Sequence, residues 1–114
     1  MRAVLLVPLL LLAACSKGSQ ADLQYISEAR SLAAEWALVN QQAAEGKLTD
    51  AYVSAMRNSL GEQAETAARA LTGQDTPYAR EMRALAGEPA DAPPDALRAH
   101  ADRLKQIEDQ LESA

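Results

Sequence analysis

Cys15 is the only thiol in the chain and His100 the only imidazole. Neither has the company that catalysis or metal binding asks for. A side-chain metal site needs several His, Cys or carboxylate ligands converging. No H-E-x-x-H helix, G-x-S-x-G elbow or phosphate-binding glycine loop occurs in the chain. Glu28 and Glu35 share a helix side at heptad spacing, about 10 Å apart along the axis, wider than paired acid–base carboxylates stand in many hydrolases. His100 falls within an apolar stripe, so a boundary or partly buried core position is its expected role. A pH-sensitive contact is the second reading, because histidine titrates near neutrality. The pattern predicts no catalytic residue, no metal ligand and no cofactor, and it singles out no ligand-binding residue. What remains is the sulfur of Cys15, a soft nucleophile that can be alkylated to a thioether.

The elements around that sulfur are specific. Arg2 is a positive start, and Ala3 to Leu12 is an apolar run interrupted by Pro8. The run is too short for a membrane span, which takes about 20 apolar residues, and it reads as a secretory signal. It ends in Leu12-Ala13-Ala14-Cys15: an aliphatic residue, two small residues, then cysteine. This stretch resembles the lipobox of bacterial lipoproteins. The resemblance covers the leader and the attachment site only. It implies that Leu12, Ala13 and Ala14 are the signal-peptidase recognition residues, with the small side chains letting the protease clamp extended backbone. It also implies that Cys15 receives a diacylglyceryl group, with its new amino terminus acylated (palmitate is the type of chain expected). Each buried methylene contributes about 0.8 kcal/mol, and two or more chains anchor stably. Ser16 after the cysteine, by resemblance to the enterobacterial sorting rule, implies the periplasmic face of the outer membrane. With Cys15 lipidated no thiol is left for a disulfide, so packing alone holds the fold.

Composition sets further bounds. With 114 residues, 48% of them hydrophobic and 24% charged, the chain is globular in type and long enough for one domain. There is no Phe and one Trp, so the core is lean and rich in alanine. The formal charge of −5 repels phosphate backbones, and nucleic acid is excluded as a partner on that ground. The division expected is 1–14 signal peptide, 15–21 lipidated cysteine and flexible tether, 22–114 helical domain.

Apolar spacing within 22–114 is helical throughout. Tyr25, Ala29, Leu32, Trp36, Val39 and Ala43 form one stripe over about Asp22 to Glu45, widened by Ile26, Ala33 and Ala37, with Gly46 as the stop. Thr49 starts a second helix whose stripe is Val53, Met56, Leu60, Ala64, Ala67 and Leu71, ending at Gly73. Gly61 inside it signals a kink, a break or a close backbone approach. The short link makes these two helices an antiparallel hairpin. Counting back from it puts Trp36 near Met56 as a core anchor, and Arg57 across from Glu35. Asp75-Thr76-Pro77 opens a short third helix carrying Tyr78, Met82 and Leu85 up to Gly87. After a Pro-rich connector, a fourth helix runs from Pro94 to Glu112 on Leu97, His100, Leu104, Ile107 and Leu111.

The fold class expected is therefore all-α: a small antiparallel helical bundle, with a long helix 1–helix 2 hairpin plus one short and one medium helix. The alternative leaves helix 4 free to pair with another chain. The function expected is that of a non-enzymatic, lipid-anchored interaction or structural module of the cell envelope. Its partners would be the membrane, through its lipid, and an envelope protein recruited by uncovered stripes of helices 1 and 4. The alternatives are an enzyme inhibitor, or a ligand-binding protein whose apolar inter-helix pocket is lined by Tyr25, Trp36, Tyr52 and Tyr78.

Overall fold

The computed structural model describes residues 17–114. Among them are four helices and no strand: α1 (Lys17–Ala44), α2 (Asp50–Ala70), α3 (Pro77–Ala86) and α4 (Pro94–Glu112). The bundle is all-α and antiparallel, as the stripes predict. Helix α1 is the central element. It packs along α4 on one flank and along α2 on the other, while α3 bridges α2 and α4, which do not touch each other. The alternative of a free fourth helix is therefore set aside: Leu97 and Leu104 of α4 are fully buried, as are Ile26, Ala29 and Ala33 of α1.

Local chemistry accounts for each helix boundary. Gly46 takes a φ of +72°, the left-handed conformation that glycine adopts without a Cβ penalty, and closes α1. The Thr49 hydroxyl accepts the Tyr52 N–H at 3.2 Å and caps α2. Thr76 does the same for α3 through the Ala79 N–H at 3.1 Å, with Pro77 in the first turn. Gly87 caps the end of α3, and α4 starts at Pro94, whose fixed φ suits a first helical position.

Two boundaries differ from expectation. Helix α1 already includes Lys17, five residues before Asp22, so Lys17 to Ala21 of the stretch assigned to a flexible tether are helical. The reason is tertiary: the Gly18 carbonyl accepts a hydrogen bond from the Thr72 hydroxyl, and Asp22 is drawn inside to the same loop. Helix α2 ends at Ala70, three residues before Gly73. Gly73 has a different use. A Cβ there would lie 2.9 Å from both Thr76 Cγ2 and Tyr78 Oη, so only glycine lets the α2–α3 loop close on Tyr78.

Gly61 does not break α2, which is continuous across it. A Cβ at this position would meet Trp36 Cη2 at 3.9 Å, an ordinary contact. Gly61→Ala is therefore expected to stabilise the domain by about 0.5–1 kcal/mol, through helix propensity and a less flexible unfolded chain. In a thermal melt that corresponds to a rise of roughly 3–6 °C. A fall in midpoint would mean that the indole had been displaced.

Candidate functional site

Three polar groups of contacts interrupt the apolar core, and each ties helices that are distant in sequence. The first centres on Asp22, which is fully buried. One carboxylate oxygen accepts the Thr72 N–H at 2.8 Å. The other accepts the Gly73 N–H at 3.1 Å, the Thr72 hydroxyl at 3.0 Å and the Tyr78 hydroxyl at 2.6 Å. Burial opposes ionisation of Asp22, but those donors together outweigh it and hold the carboxyl below its ordinary value. Burial, followed by the neighbouring carboxylate, pushes the Tyr78 phenol up. Asp22 thus joins α1 to the α2–α3 loop and to α3.

The second group lies on the α3–α4 connector. Trp36 is buried and its indole N–H donates to the Ala90 carbonyl at 2.9 Å. Asn40, one turn further along α1, is also buried; its amide donates to the carbonyls of Ala90 at 3.1 Å and Ala92 at 2.8 Å. Its oxygen accepts the Nε–H of Arg57 on α2 at 2.8 Å. The Pro-rich connector carries few backbone bonds of its own, and Trp36 and Asn40 satisfy its inward carbonyls. Arg57 thus engages Asn40 in place of the Glu35 partner expected from the hairpin count, and Glu35 is exposed.

The third group contains the single histidine. His100 is 7% exposed, and both ring nitrogens face carboxylates. Nδ1 meets Glu81 of α3, and Nε2 lies 2.8 Å from Glu88 of the connector. Arg103, one turn along α4, donates from Nε to Glu81 at 2.8 Å. Burial opposes ionisation of Glu81 as well, but the hydrogen bonds from Arg103 and His100 overcome it and hold this carboxyl below its ordinary value. Arg103 moves up through its bond to Glu81. His100 is thus more buried than a boundary position, and its partners come from two other segments. Two turns further along α4, Arg30 Nε of α1 stands 2.8 Å from Glu108 Oε1, an ion pair whose N–H is not aligned as a hydrogen bond.

Both His100 nitrogens are engaged by carboxylates, and no group of three or more His, Cys, Asp or Glu able to hold a metal ion occurs among the described residues. Glu28, like Glu35, is exposed on α1. The four aromatic residues proposed to line a ligand pocket are not brought together. Trp36 edges a surface cleft of about 230 Å3 beside Gly61 and Glu88. Tyr78 reaches inward to Asp22, Tyr25 packs partly buried against the core, and Tyr52 is 49% exposed.

Leu12, Ala13, Ala14 and Cys15, the lipobox residues, lie outside the described residues, as does Ser16. No described helix is long and apolar enough to cross a membrane. Sequence reasoning missed Asp22, Asn40, Glu81, Glu88 and Glu108 as buried or tying residues. The available signal was weak: a polar residue inside an apolar stripe, as at Asn40 and His100, with partners unreadable from spacing. Compared with family models, with characterised proteins and with solved structures, the chain finds no match.

Proposed function

We propose that this chain is a lipid-anchored bacterial envelope protein, attached through Cys15 and acting as a non-enzymatic interaction or structural module. The observation that carries the reading is the order Arg2, apolar run, Leu12-Ala13-Ala14-Cys15. Small residues before a lone cysteine suit both proteolytic cleavage and thioether formation. Two or more acyl chains would supply the stable attachment that one chain does not. The engagement of His100 on both nitrogens and the absence of a second thiol favour binding or scaffolding over covalent chemistry. Ser16 favours the outer membrane. The partner surface, on this reading, is not the paired stripes of α1 and α4, because those cover each other.

The test is expression of the full chain in a bacterium, followed by membrane fractionation and intact mass spectrometry. The parent is expected in the membrane fraction, cleaved before Cys15 and heavier by a diacylglyceryl group and a fatty acyl chain. Cys15→Ala is expected to lose both the added mass and the processing. Recovery of the parent with Met1 retained, or with an unmodified thiol, overturns the reading.

A further inference from the structure

We propose that Arg57 forms a binding site for the C-terminal carboxylate of a peptide whose last side chain is apolar. This is independent of lipid attachment at Cys15. The other arginines of the described residues each close on a carboxylate or a backbone carbonyl. Arg30 pairs with Glu108, Arg69 with Glu65, Arg98 with Asp95 and Arg103 with Glu81. Arg80 and Arg83 donate to the carbonyls of Asp75 and Gln74. Arg57 alone among them has only a neutral amide oxygen as its partner, and it is engaged only through Nε. Its two terminal nitrogens have no acceptor among the described residues.

The side chain is nevertheless held in place. Asn40, which receives Nε, is 4% exposed and is itself pinned by the carbonyls of Ala90 and Ala92. The guanidinium is therefore oriented from α1 and from the connector, and its end-on fork of N–H groups is pre-set. Such a fork matches a carboxylate bidentately, which a lysine ammonium does not.

The space beside the fork defines the rest of the ligand. Arg57 lines a cleft of about 350 Å3 between α1, α2 and the connector, walled by Leu48, Val53, Ala92 and Pro94. A second cleft of about 330 Å3 shares Asp50, Val53 and Arg57 with it. An apolar side chain and a carboxylate that branch from one carbon can enter together, and the last residue of a peptide has that arrangement. Asp50 and Asp91 lie on the same cleft without ion-pair partners among the described residues. They weaken the hold of Arg57 on any anion, and more so for a phosphate or polyanion than for a single carboxylate, so the ligand favoured is a monocarboxylate whose remaining groups are neutral or cationic, bound weakly.

The test is an NMR titration of the isotope-labelled full chain with acetyl-Ala-Leu as the free acid. Its C-terminal amide and inorganic phosphate serve as comparisons. The acid is expected to shift the Asn40 side-chain amide and the Ala92 N–H saturably below about 10 mM, with the amide and phosphate at least about tenfold weaker. Arg57→Gln is expected to weaken the acid by about tenfold or more, and Arg57→Lys by several-fold through loss of the fork. Equal binding of acid and amide, equal binding of phosphate, or no saturable shift overturns the proposal. If Arg57→Gln does not fold, the three-ligand comparison on the parent decides by itself.

Discussion

Trp36→Ala is expected to lower stability by about 3–5 kcal/mol, the usual cost of emptying a buried tryptophan site. Trp36 is 1% exposed at the middle of α1, where α2 and the connector both reach it. Gly61, Ala86 and Ala90 beside it have no side chain long enough to fill the void. In a domain of this size such a loss corresponds to roughly 15–30 °C in melting midpoint, and it approaches the whole stability of many small domains. Trp36→Phe separates packing from hydrogen bonding. It removes the indole donor but keeps most of the aromatic volume. The Ala90 carbonyl would still accept from Asn40 at 3.1 Å. The phenylalanine variant is therefore expected to cost about 1–2 kcal/mol, since no buried acceptor is orphaned. Thermal melts followed by far-UV circular dichroism read both variants. If the alanine variant melts within a few degrees of the parent, the indole is not the keystone of the α1–connector contact.

The second large effect is expected at Asp22. Asp22→Ala strands the Thr72 and Gly73 N–H groups and the Tyr78 hydroxyl in a buried place, at a cost of about 3 kcal/mol. Asp22→Asn keeps the shape but is not a mild change. The two carboxylate oxygens each accept a backbone N–H, from Thr72 and from Gly73. One of them must become an amide nitrogen facing a donor that cannot rotate away. The asparagine variant is expected to lose about 2 kcal/mol. Its pH dependence gives a further check. The Asp22 carboxyl lies below its ordinary 3.8 in the folded chain, so its contribution is present above that value and lost as pH falls through the folded one. Urea midpoints of parent and Asp22→Asn should accordingly stay apart at neutral pH and converge only in strong acid. A gap that is constant down to the lowest pH at which the parent folds would mean that the charge of Asp22 contributes nothing. Glu81, also held below its ordinary 4.5, adds to the acid sensitivity of both proteins alike.

Much of the architecture was legible because it is local. Helical stripes, the Thr49 and Thr76 caps, Pro77 and Pro94 at helix starts and the glycine stop at Gly46 all depend on neighbours within a few residues. The polar ties were not legible, for the opposite reason. Asp22 finds its donors some 50 positions away, and Asn40 reaches the connector over a similar separation. From spacing alone Asp22 is a helix-start signal, and Ser, Lys and Gly before it read as a tether. Only the loop carrying Thr72 and Gly73 shows why the helix continues back to Lys17. The pairing of Arg57 was misread on the same ground. A face count brings Glu35 and Asn40 to comparable range, and the count does not show that Asn40 is already oriented by two carbonyls. Gly61 and Gly73 exchanged roles: the one inside the helix has room for a methyl group, and the one beyond its end has none.

The early start of α1 bears on reach. A chain tethered by a floppy leash samples a hemisphere, and its far surfaces visit the bilayer as often as its near ones. Here the chain is already regular helix at Lys17, two residues after Cys15, and continues unbroken to Ala44. At about 1.5 Å per residue, Asn40 and the cleft beside Arg57 stand about 35 Å along the helix axis from its first residue. Should Cys15 carry its lipid, α1 becomes a stiff mast with one end stepped at the membrane. Whatever docks at Arg57 would then be met at a set distance along that mast from the anchored end.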